Sequence, residues 1–337
     1  MKKFLLAVVS LVVAATLSPS QTEQRSVRTP HAEPRSRHFD AGQLLRDVET
    51  LSADAMGGRK SGTPSGAKAR DYVVRRFRQA GLEAFAASYL QPFTFSLGGE
   101  SALRQGANVV GFVKGKTATP PSAARYLVVT AHYDHLGVEK GEIYNGADDN
   151  ASGTAALFAL AAYFTRHRPA HSIIFVAFDA EEGSGAGARK FVSEPPVDKR
   201  AIVLNVNLDM ISRNARNELY ASGTYHYPFL KPYLEQAAKR APIKLLLGHD
   251  SPAAPPGQNW TTQSDHVAFH RAKIPFVYFG VEDHKDYHKP TDDFENIEPA
   301  FYVHAVETIL DALKSFDENL SEIEKQNPAR STARPPA

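Results

Sequence analysis

The sequence contains no cysteine, and this absence excludes two kinds of chemistry. No disulfide can cross-link the fold, and no thiolate can act as a nucleophile or bind a metal. A chain of 337 residues with 42% hydrophobic residues can still bury a core large enough for a stable domain. Any metal site must therefore use histidine, aspartate and glutamate side chains.

An excess of charge of either sign is also missing. The chain has 39 Lys and Arg residues against 37 Asp and Glu residues. Removal of residues 1–20, which is expected for the reason given next, takes away Lys2 and Lys3 and leaves 37 of each. A neutral chain argues against a nucleic-acid partner that is held by bulk electrostatics.

The N-terminus has the pattern of a secretory signal peptide. Lys2 and Lys3 precede an apolar run from residue 4 to residue 17, and small residues follow it. The run is shorter than the roughly 20 apolar residues of a membrane anchor, so we expect cleavage near Ser20. This predicts a secreted or periplasmic protein that has no membrane contact after cleavage.

Polar segments with scattered Arg, Pro and Ser lie at both ends of the remaining chain. Residues 21–38 are expected to form a flexible lead-in, and residues 318–337 a disordered tail. No repeat or change in composition divides residues 39–317, which predicts one domain. The sequence does not indicate an oligomeric state.

Short apolar runs alternate with helical patterns after about residue 126. Several runs are apolar at every position, as in strands that are covered on both faces. This predicts an α/β domain with a central, mostly parallel, mixed β-sheet and helices on both faces. Residues 84–113 are expected to be antiparallel because no helical pattern separates their runs. The predicted strands are 108–113, 126–131, 172–178, 201–208 and 275–279, and the clearest helices lie within 64–80, 152–166 and 298–316.

Four of the predicted strands are followed directly by histidine or acidic residues. In open α/β sheets, ligands bind beyond the carboxyl ends of the strands, so these side chains are expected to converge. They are His132, Asp134 and His135 after the first strand, Glu181 and Glu182 after the second, Asp209 after the third, and His284 and His288 after the fourth.

A mixed histidine and carboxylate set without sulfur suits Zn²⁺, with Mn²⁺ or Co²⁺ as substitutes. It has more ligands than one tetrahedral zinc ion with an open position can use. Two metals about 3.5–4 Å apart, bridged by one carboxylate, fit it better. The acidic turn GADDNASG at 146–153 precedes the buried helix and is the expected source of the bridge.

The adjacent acids Glu181 and Glu182 can divide two tasks between them. One can bind metal, while the other takes a proton from the bound water and passes it to the leaving amine. A metal lowers the pKa of its water to roughly 7, so a nearby carboxylate is a sufficient base.

Five motifs in this order resemble those of the M28 peptidases, the di-zinc aminopeptidases of the bacterial leucyl-aminopeptidase type. The resemblance extends from about residue 45 to residue 310. It implies a zinc-exopeptidase fold, which is phosphorylase/hydrolase-like, two zinc ions, and hydrolysis of N-terminal residues from peptides or proteins. The motifs are AHYDH (131–135), GADDNASG (146–153), AFDAEEGSGA (177–186), NLDM (207–210) and DYHKPTD (286–292).

The resemblance implies a set of metal ligands. His132 and Asp209 bind one zinc ion, and Glu182 and His288 bind the other. The family pattern places the bridging acid four residues before the last glycine of the turn, which makes it Asp149 and leaves Asp148 as a neighbour. It also suggests a strained peptide bond after the bridging acid that could be cis.

The resemblance also implies catalytic roles. Glu181 is the general base, and Asp134 orients the His132 ring. Tyr287 resembles a hydroxyl that stabilises the tetrahedral oxyanion in some members.

Other readings of these motifs are weaker. The turn 146–153 fits the first half of an EF-hand loop, but the required glutamate at position 12 is Ala159. His266 and His270 have the spacing of a zincin helix without its glutamate. No Gly-x-Ser-x-Gly motif is present for a serine hydrolase.

Two alternative functions remain. A glutaminyl cyclase shares the fold and works with one zinc ion, but Asn150, Ser152, Gly153 and Tyr287 favour the peptidase. A catalytically inactive binding homologue would have lost ligands, whereas the full set is present here.

Several residues near the motifs keep an open role. His135 and His284 are expected to orient other groups or lie on the surface rather than bind metal, and the function of Asp265 is undecided. The Pro-rich loop 248–263 contains the only tryptophan, Trp260, and is expected to shape the specificity pocket.

Overall fold

The computed structural model describes residues 34–96, 102–117 and 124–331, and the expected signal peptide and most of the lead-in lie outside these ranges. The helices are α1 (Ala41–Leu51), α2 (Pro64–Gln79), α3 (Gly153–Arg166), α4 (Ala186–Ser193), α5 (Lys231–Arg240), α6 (His266–Arg271), α7 (Pro299–Glu318), α8 (Leu320–Gln326) and α9 (Pro328–Ser331). The strands are β1 (Leu90–Phe95), β2 (Arg104–Val113), β3 (Tyr126–His132), β4 (Gly137–Glu139), β5 (Glu142–Tyr144), β6 (Ser172–Phe178), β7 (Ile202–Leu208), β8 (Glu218–Ser222), β9 (Lys244–Leu247) and β10 (Phe276–Gly280).

Local sequence explains where the helices begin. The Thr63 side chain accepts a hydrogen bond from the Gly66 N–H and caps α2, and Pro64 occupies the first helical position. Nine of the 14 residues of α3 are buried, as its largely apolar pattern predicts. These local signals place the helices that cover the sheet.

Eight strands form one mixed sheet in the order β1-β2-β6-β3-β7-β10-β8-β9. The central strands β6, β3, β7 and β10 are mutually parallel. Strands β1 and β2 add to this group as an antiparallel pair, as predicted for residues 84–113. Strand β8 is antiparallel to β10. The prediction of a mostly parallel mixed sheet is therefore confirmed.

Helices cover the central strands on both faces. Leu127 and Val129 of β3 belong to the larger core with α1, α2, α3 and α7, whereas Val128 points to the smaller core with α4 and α6. The alternation follows from the two-residue period of a strand. Burial on both sides explains why the strand sequences are apolar at every position. Because β3, β6, β7 and β10 are parallel, their carboxyl ends meet at one edge of the sheet.

The prediction of a disordered tail from residue 318 is wrong for the part that the structure describes. Helix α8 follows α7 directly, and its Leu320 and Ile323 are fully buried against the larger core. These two apolar residues lie three positions apart and share one helix face. The polar residues around them dominate the composition and conceal this pairing. Residues 332–337 of the predicted tail lie outside the described ranges.

Within the described ranges, no helix is both long and apolar enough to cross a membrane.

Candidate metal centre

The first group of potential ligands lies at the ends of β3 and β7. The His132 Nε2 atom is 3.3 Å from Asp209 Oδ1 and 3.4 Å from Asp149 Oδ1. All three residues are buried. Burial alone would lower the pKa of His132, but Asp209, Glu181 and Asp149 raise it well above its ordinary value. The carboxylates around this ring therefore form a site that favours a cation.

The second group lies beside the first and shares Asp149. The His288 Nε2 atom is 3.0 Å from Asp149 Oδ2 and 3.5 Å from Glu182 Oε2. The His135 Nδ1 atom is 2.8 Å from Glu182 Oε1 and 3.8 Å from Asp149 Oδ2. Two sets of three residues could each hold a metal ion: His132, Asp149 and Asp209, and His135, Asp149 and Glu182.

Asp149 connects the two groups because its two carboxylate oxygens face different partners. Oδ1 faces His132, and Oδ2 faces His288. The donors of both groups are imidazole nitrogens and carboxylate oxygens, which suits zinc. The residues present therefore have donor chemistry that fits zinc, and the two candidate sets share Asp149.

The turn that carries Asp149 is fixed from several sides. The Asp149–Asn150 peptide bond is cis, in agreement with the expectation from the motif. The Asn150 side chain donates to Leu208 O and accepts from Gly153 N–H, which ties the turn to the end of β7. The Asp292 carboxylate accepts hydrogen bonds from the backbone N–H groups of Asp148 and Asp149.

The start of this turn needs a glycine. Gly146 has φ 56°, in the left-handed region that side chains disfavour. A Cβ atom there would overlap Asp149 O and the His135 ring. The glycine therefore allows the turn to pack closely against the ligand groups.

Asp134 links the first two motifs through the backbone. Its carboxylate accepts hydrogen bonds from Glu181 N–H at 3.1 Å and from Glu182 N–H at 3.2 Å. Its Oδ1 atom also lies 3.8 Å from His132 Nδ1. Burial and neighbouring acids raise the pKa of Asp134 to about 7, although His132 lowers it. This residue thus holds both glutamates in place beside the His132 ring.

The two adjacent glutamates have pKa values that are shifted in opposite directions. Burial, together with Asp265, Glu182 and other acids, raises the pKa of Glu181 well above its ordinary value. Burial also acts on Glu182, but hydrogen bonds with His135 and His288 lower its pKa. Opposite shifts of this kind are typical of paired acids with separate roles. In this arrangement Glu182 is the stronger candidate for a ligand, and Glu181 for a proton carrier.

The geometry can be compared with known proteins. A model of peptidase family M28 matches residues 108–313, which is more than half of the chain. The chain belongs to peptidase family M28. Among curated relatives, aminopeptidase YwaD of Bacillus subtilis is 31% identical over 201 residues, which cover 56% of this chain and 40% of the relative. The chain spans less than half the length of the curated relatives it matches.

Solved structures share the fold with this M28 chain. The zinc aminopeptidase BSAP of Bacillus subtilis has a TM-score of 0.67 at 19% identity, and the alignment covers 83% of this chain and 96% of that one. The glutaminyl cyclase of Bacteroides thetaiotaomicron has a TM-score of 0.64 at 17% identity, with 83% and 99% covered. The predicted family and fold are confirmed, and membership supports the prediction of a zinc-dependent hydrolase.

A cavity of about 970 Å³ opens onto this M28 site. Tyr287 lies in its wall, with its ring stacked on His288 at a centroid distance of 4.0 Å. Trp260 also contributes to the wall, and its ring stacks on His249. The loop 248–263 thus lies beside the site, while its effect on specificity stays a prediction.

The structure locates the histidine residues whose roles the sequence left undecided. His135 is buried and holds Glu182, so it lies in the site rather than on the surface. His284 contacts Asp148 Oδ2 at 3.1 Å instead of the ligand groups. The buried His266 ring contacts Trp260 O, and His270 contacts Tyr227, so both rings pack against protein groups.

Asp265 is the most unusual of these residues. It is 1% exposed and lines the cavity. Neither of its carboxylate oxygens has a hydrogen-bond partner among the described residues. Burial raises its pKa to about 8. A buried carboxyl group without partners in a cavity wall is available to a ligand.

Sequence reasoning missed Arg59. Its fully buried guanidinium donates hydrogen bonds to four carbonyl oxygens, and burial lowers its pKa to about 10. It thereby ties the chain after β3 to the chain before the turn 146–153. Its sequence context, DAMGGRK at 54–60, does not reveal these partners. The acceptors are Leu51 O, Tyr133 O, Asn145 O and Gly146 O.

Proposed function

We propose that this protein is a secreted di-zinc aminopeptidase that hydrolyses N-terminal residues from peptides. The observation that carries the proposal is the shared Asp149, whose two oxygens face two separate sets of ligands. A single-metal site has no need of such a carboxylate. In this proposal His132, Asp149 and Asp209 hold one zinc ion, and Asp149, Glu182 and His288 hold the other. His135, which also lies within reach of Asp149 and Glu182, positions the Glu182 carboxylate.

In the proposed reaction, the zinc ions and the side chains of the protein make separate contributions. Bound zinc ions would polarise the scissile carbonyl and lower the pKa of an attacking water. Glu181 takes the proton from this water and delivers it to the leaving amine. The Tyr287 hydroxyl donates a hydrogen bond to the oxyanion. Asp134 keeps the backbone of Glu181 and Glu182 in the required position.

Carboxyl groups beyond the ligand set support binding of a free N-terminus. Glu181, Asp265 and the exposed Asp283 line the cavity beside the ligands. Two zinc ions would carry a charge of +4, and Asp149, Glu182 and Asp209 supply −3, which leaves a positive excess at the metal centre. The carboxylates of Glu181, Asp265 and Asp283 are therefore needed if this end of the cavity is to attract a cation. The α-ammonium group of a peptide is the cation that an aminopeptidase must bind.

The first test uses Glu181→Gln and a panel of free and N-acetylated peptides with and without a chelator. We expect release of N-terminal residues from free peptides only, loss of this release with the chelator, and at least a hundredfold lower kcat in the variant. The variant should keep its zinc, as measured by elemental analysis. Cleavage of acetylated peptides, or wild-type rates in the variant, would contradict the proposal.

Cyclisation of N-terminal glutamine is the second candidate activity. It is supported by the likeness in fold to glutaminyl cyclases. Adding glutaminyl peptides to the same panel tests it, because the cyclase reaction loses ammonia and shortens no chain. Release of ammonia without a free amino acid would favour the cyclase.

Secretion rests on the pattern of residues 1–20. We expect the exported protein to begin near residue 21, which N-terminal sequencing of protein from the periplasm or medium can test. A cytoplasmic product that retains Met1 would contradict it.

A further inference from the structure

The cavity at the metal centre continues as a groove between α4 and α6. Helix α4 contributes Ala188 and Val192 to its lining, and α6 contributes Ala268. All three side chains belong to the smaller core, so the groove lies on that face of the sheet. Its lining begins at the ligands His132 and Asp209 and reaches Lys199, which precedes β7.

The groove is long enough for several residues of a peptide. Asp209 follows β7 and Lys199 precedes it, so the lining extends along the whole strand. At about 3.3 Å per residue this is a length of about 20 Å. An extended peptide rises by a similar distance per residue, so about six residues fit. The volume of about 970 Å³ is likewise far more than one side chain requires.

Three exposed cations line the groove, Arg189 of α4, Arg271 of α6 and Lys199. Arg189 donates a hydrogen bond to Ser184 O in the loop after Glu182, whereas Arg271 at the end of α6 and Lys199 before β7 lie in the part that leads away from the ligands. Among the described residues, none of the three forms an ion pair with a carboxylate. The acids nearest in sequence to Arg189 and Lys199, Glu194 and Asp198, pair with Lys190 and Arg200 instead. The three positive charges are therefore available to a ligand.

The cavity is thus acidic near the ligands and basic farther along. Glu181, Asp265 and Asp283 lie at the end formed by the carboxyl edge of the sheet, and Arg271 and Lys199 lie toward the other. A peptide with its α-ammonium group at the metal centre and carboxylates downstream has the same order of charges. Charge complementarity of this kind fixes the direction of a ligand and discriminates against the opposite charge.

We propose that this groove binds the peptide segment that follows the scissile bond and selects substrates with carboxylates within about six residues of it. The proposal rests on the proposed aminopeptidase function, because it assumes that the N-terminus lies at the metal centre. The carboxylates come either from Asp and Glu side chains or from the C-terminus of a short peptide. Both sources present the same anionic group to the cations.

The test compares hexapeptides that differ only at positions 4 and 5, which carry two Glu, two Gln or two Lys residues. Each is made with a free and with an amidated C-terminus, and kcat/KM is measured for release of the first residue. We expect the order Glu, Gln, Lys, with steps of about two- to fivefold for each charge pair. The differences should shrink in 0.5 M salt, because salt screens exposed charges.

Substitution of Arg271 identifies the groove as the source of the preference. Arg271→Gln should reduce the advantage of Glu over Gln peptides by about two- to fivefold, and Arg271→Glu should turn it into a preference for Lys. Arg78→Gln is the matched control, since Arg78 is an exposed arginine of α2, which packs on the opposite face of the sheet. The control should keep the wild-type ratios.

Binding is measured separately by calorimetry on the zinc-loaded protein with N-acetylated Glu and Gln hexapeptides. We expect the Glu peptide to bind more tightly than the Gln peptide, and Arg271→Gln to reduce this difference. This result would support the groove even if no peptide is hydrolysed. A dependence on the free C-terminus identifies the terminal carboxylate as the anion, and a dependence on Glu identifies the side chains. Equal kcat/KM and equal binding for all peptides would overturn the groove, whereas failure to release any N-terminal residue would count against the proposed function alone.

Discussion

At the scale of single residues, the two aspartates of the turn 146–153 direct their carboxyl groups to different partners. Asp149 faces His132 with one oxygen and His288 with the other. Asp148 accepts two hydrogen bonds from Ser212 and contacts His284. Adjacent and chemically identical residues therefore have separate surroundings, since Asp149 faces the candidate ligand groups and Asp148 faces the neighbouring loops.

The separation predicts different zinc contents for two isosteric variants. Asp149→Asn removes the negative charge that both metal sites share, and we expect it to retain one zinc ion per chain or fewer. Asp148→Asn leaves the ligands intact and should stay near the wild-type content, with affinity at most about 10- to 100-fold lower through misplaced ligands. Elemental analysis after dialysis gives both values. Equal zinc loss in the two variants would show that the bridge is assigned to the wrong carboxylate.

At the scale of secondary-structure elements, the sequence patterns of the strands predicted the location of the site better than those of the loops. The apolar runs of β3, β6, β7 and β10 placed four strand ends to within one residue, and the rule that parallel strands end at one edge brought their acids and histidines together. The position of His135 beside Glu182 could not be predicted. It depends on how the chain turns after β3, and the sequence does not specify that path.

Two other features, the contacts of Arg59 and the burial of helix α8, could not be predicted from local sequence patterns. Arg59 reaches carbonyl groups that are 8 to 87 residues away along the chain, and no local pattern encodes such distances. Helix α8 is polar except for Leu320 and Ile323, so composition predicted disorder where only one helix face is buried. In both cases tertiary contacts, rather than local preferences, determine the structure.

Burial of α8 leads to a prediction about stability. Leu320→Ala should lower the free energy of unfolding by about 3 kcal/mol, because it removes a fully buried side chain and leaves a cavity. Leu103→Ala is the matched control, since Leu103 is 72% exposed and its loss should change stability by less than about 0.5 kcal/mol. Chemical denaturation of both variants measures the difference. Equal stability of the two variants would mean that α8 does not pack on the core in solution.

At the scale of the whole molecule, the proposed activity would use the sheet edge and the groove together. The carboxyl ends of the parallel strands bring together the candidate ligands and Glu181, and the groove between α4 and α6 leads away from them. A polypeptide chain is the substrate that would use both features at once. The proposed reaction uses two zinc ions, because the two candidate ligand sets share Asp149.

The most direct test of this account is the zinc content of the wild-type protein at full activity. Metal-free protein is titrated with zinc, and release of an N-terminal residue from a free peptide is followed together with bound metal. The account predicts that activity reaches its maximum at two zinc ions per chain. Full activity at one ion per chain, with no further binding, would contradict it.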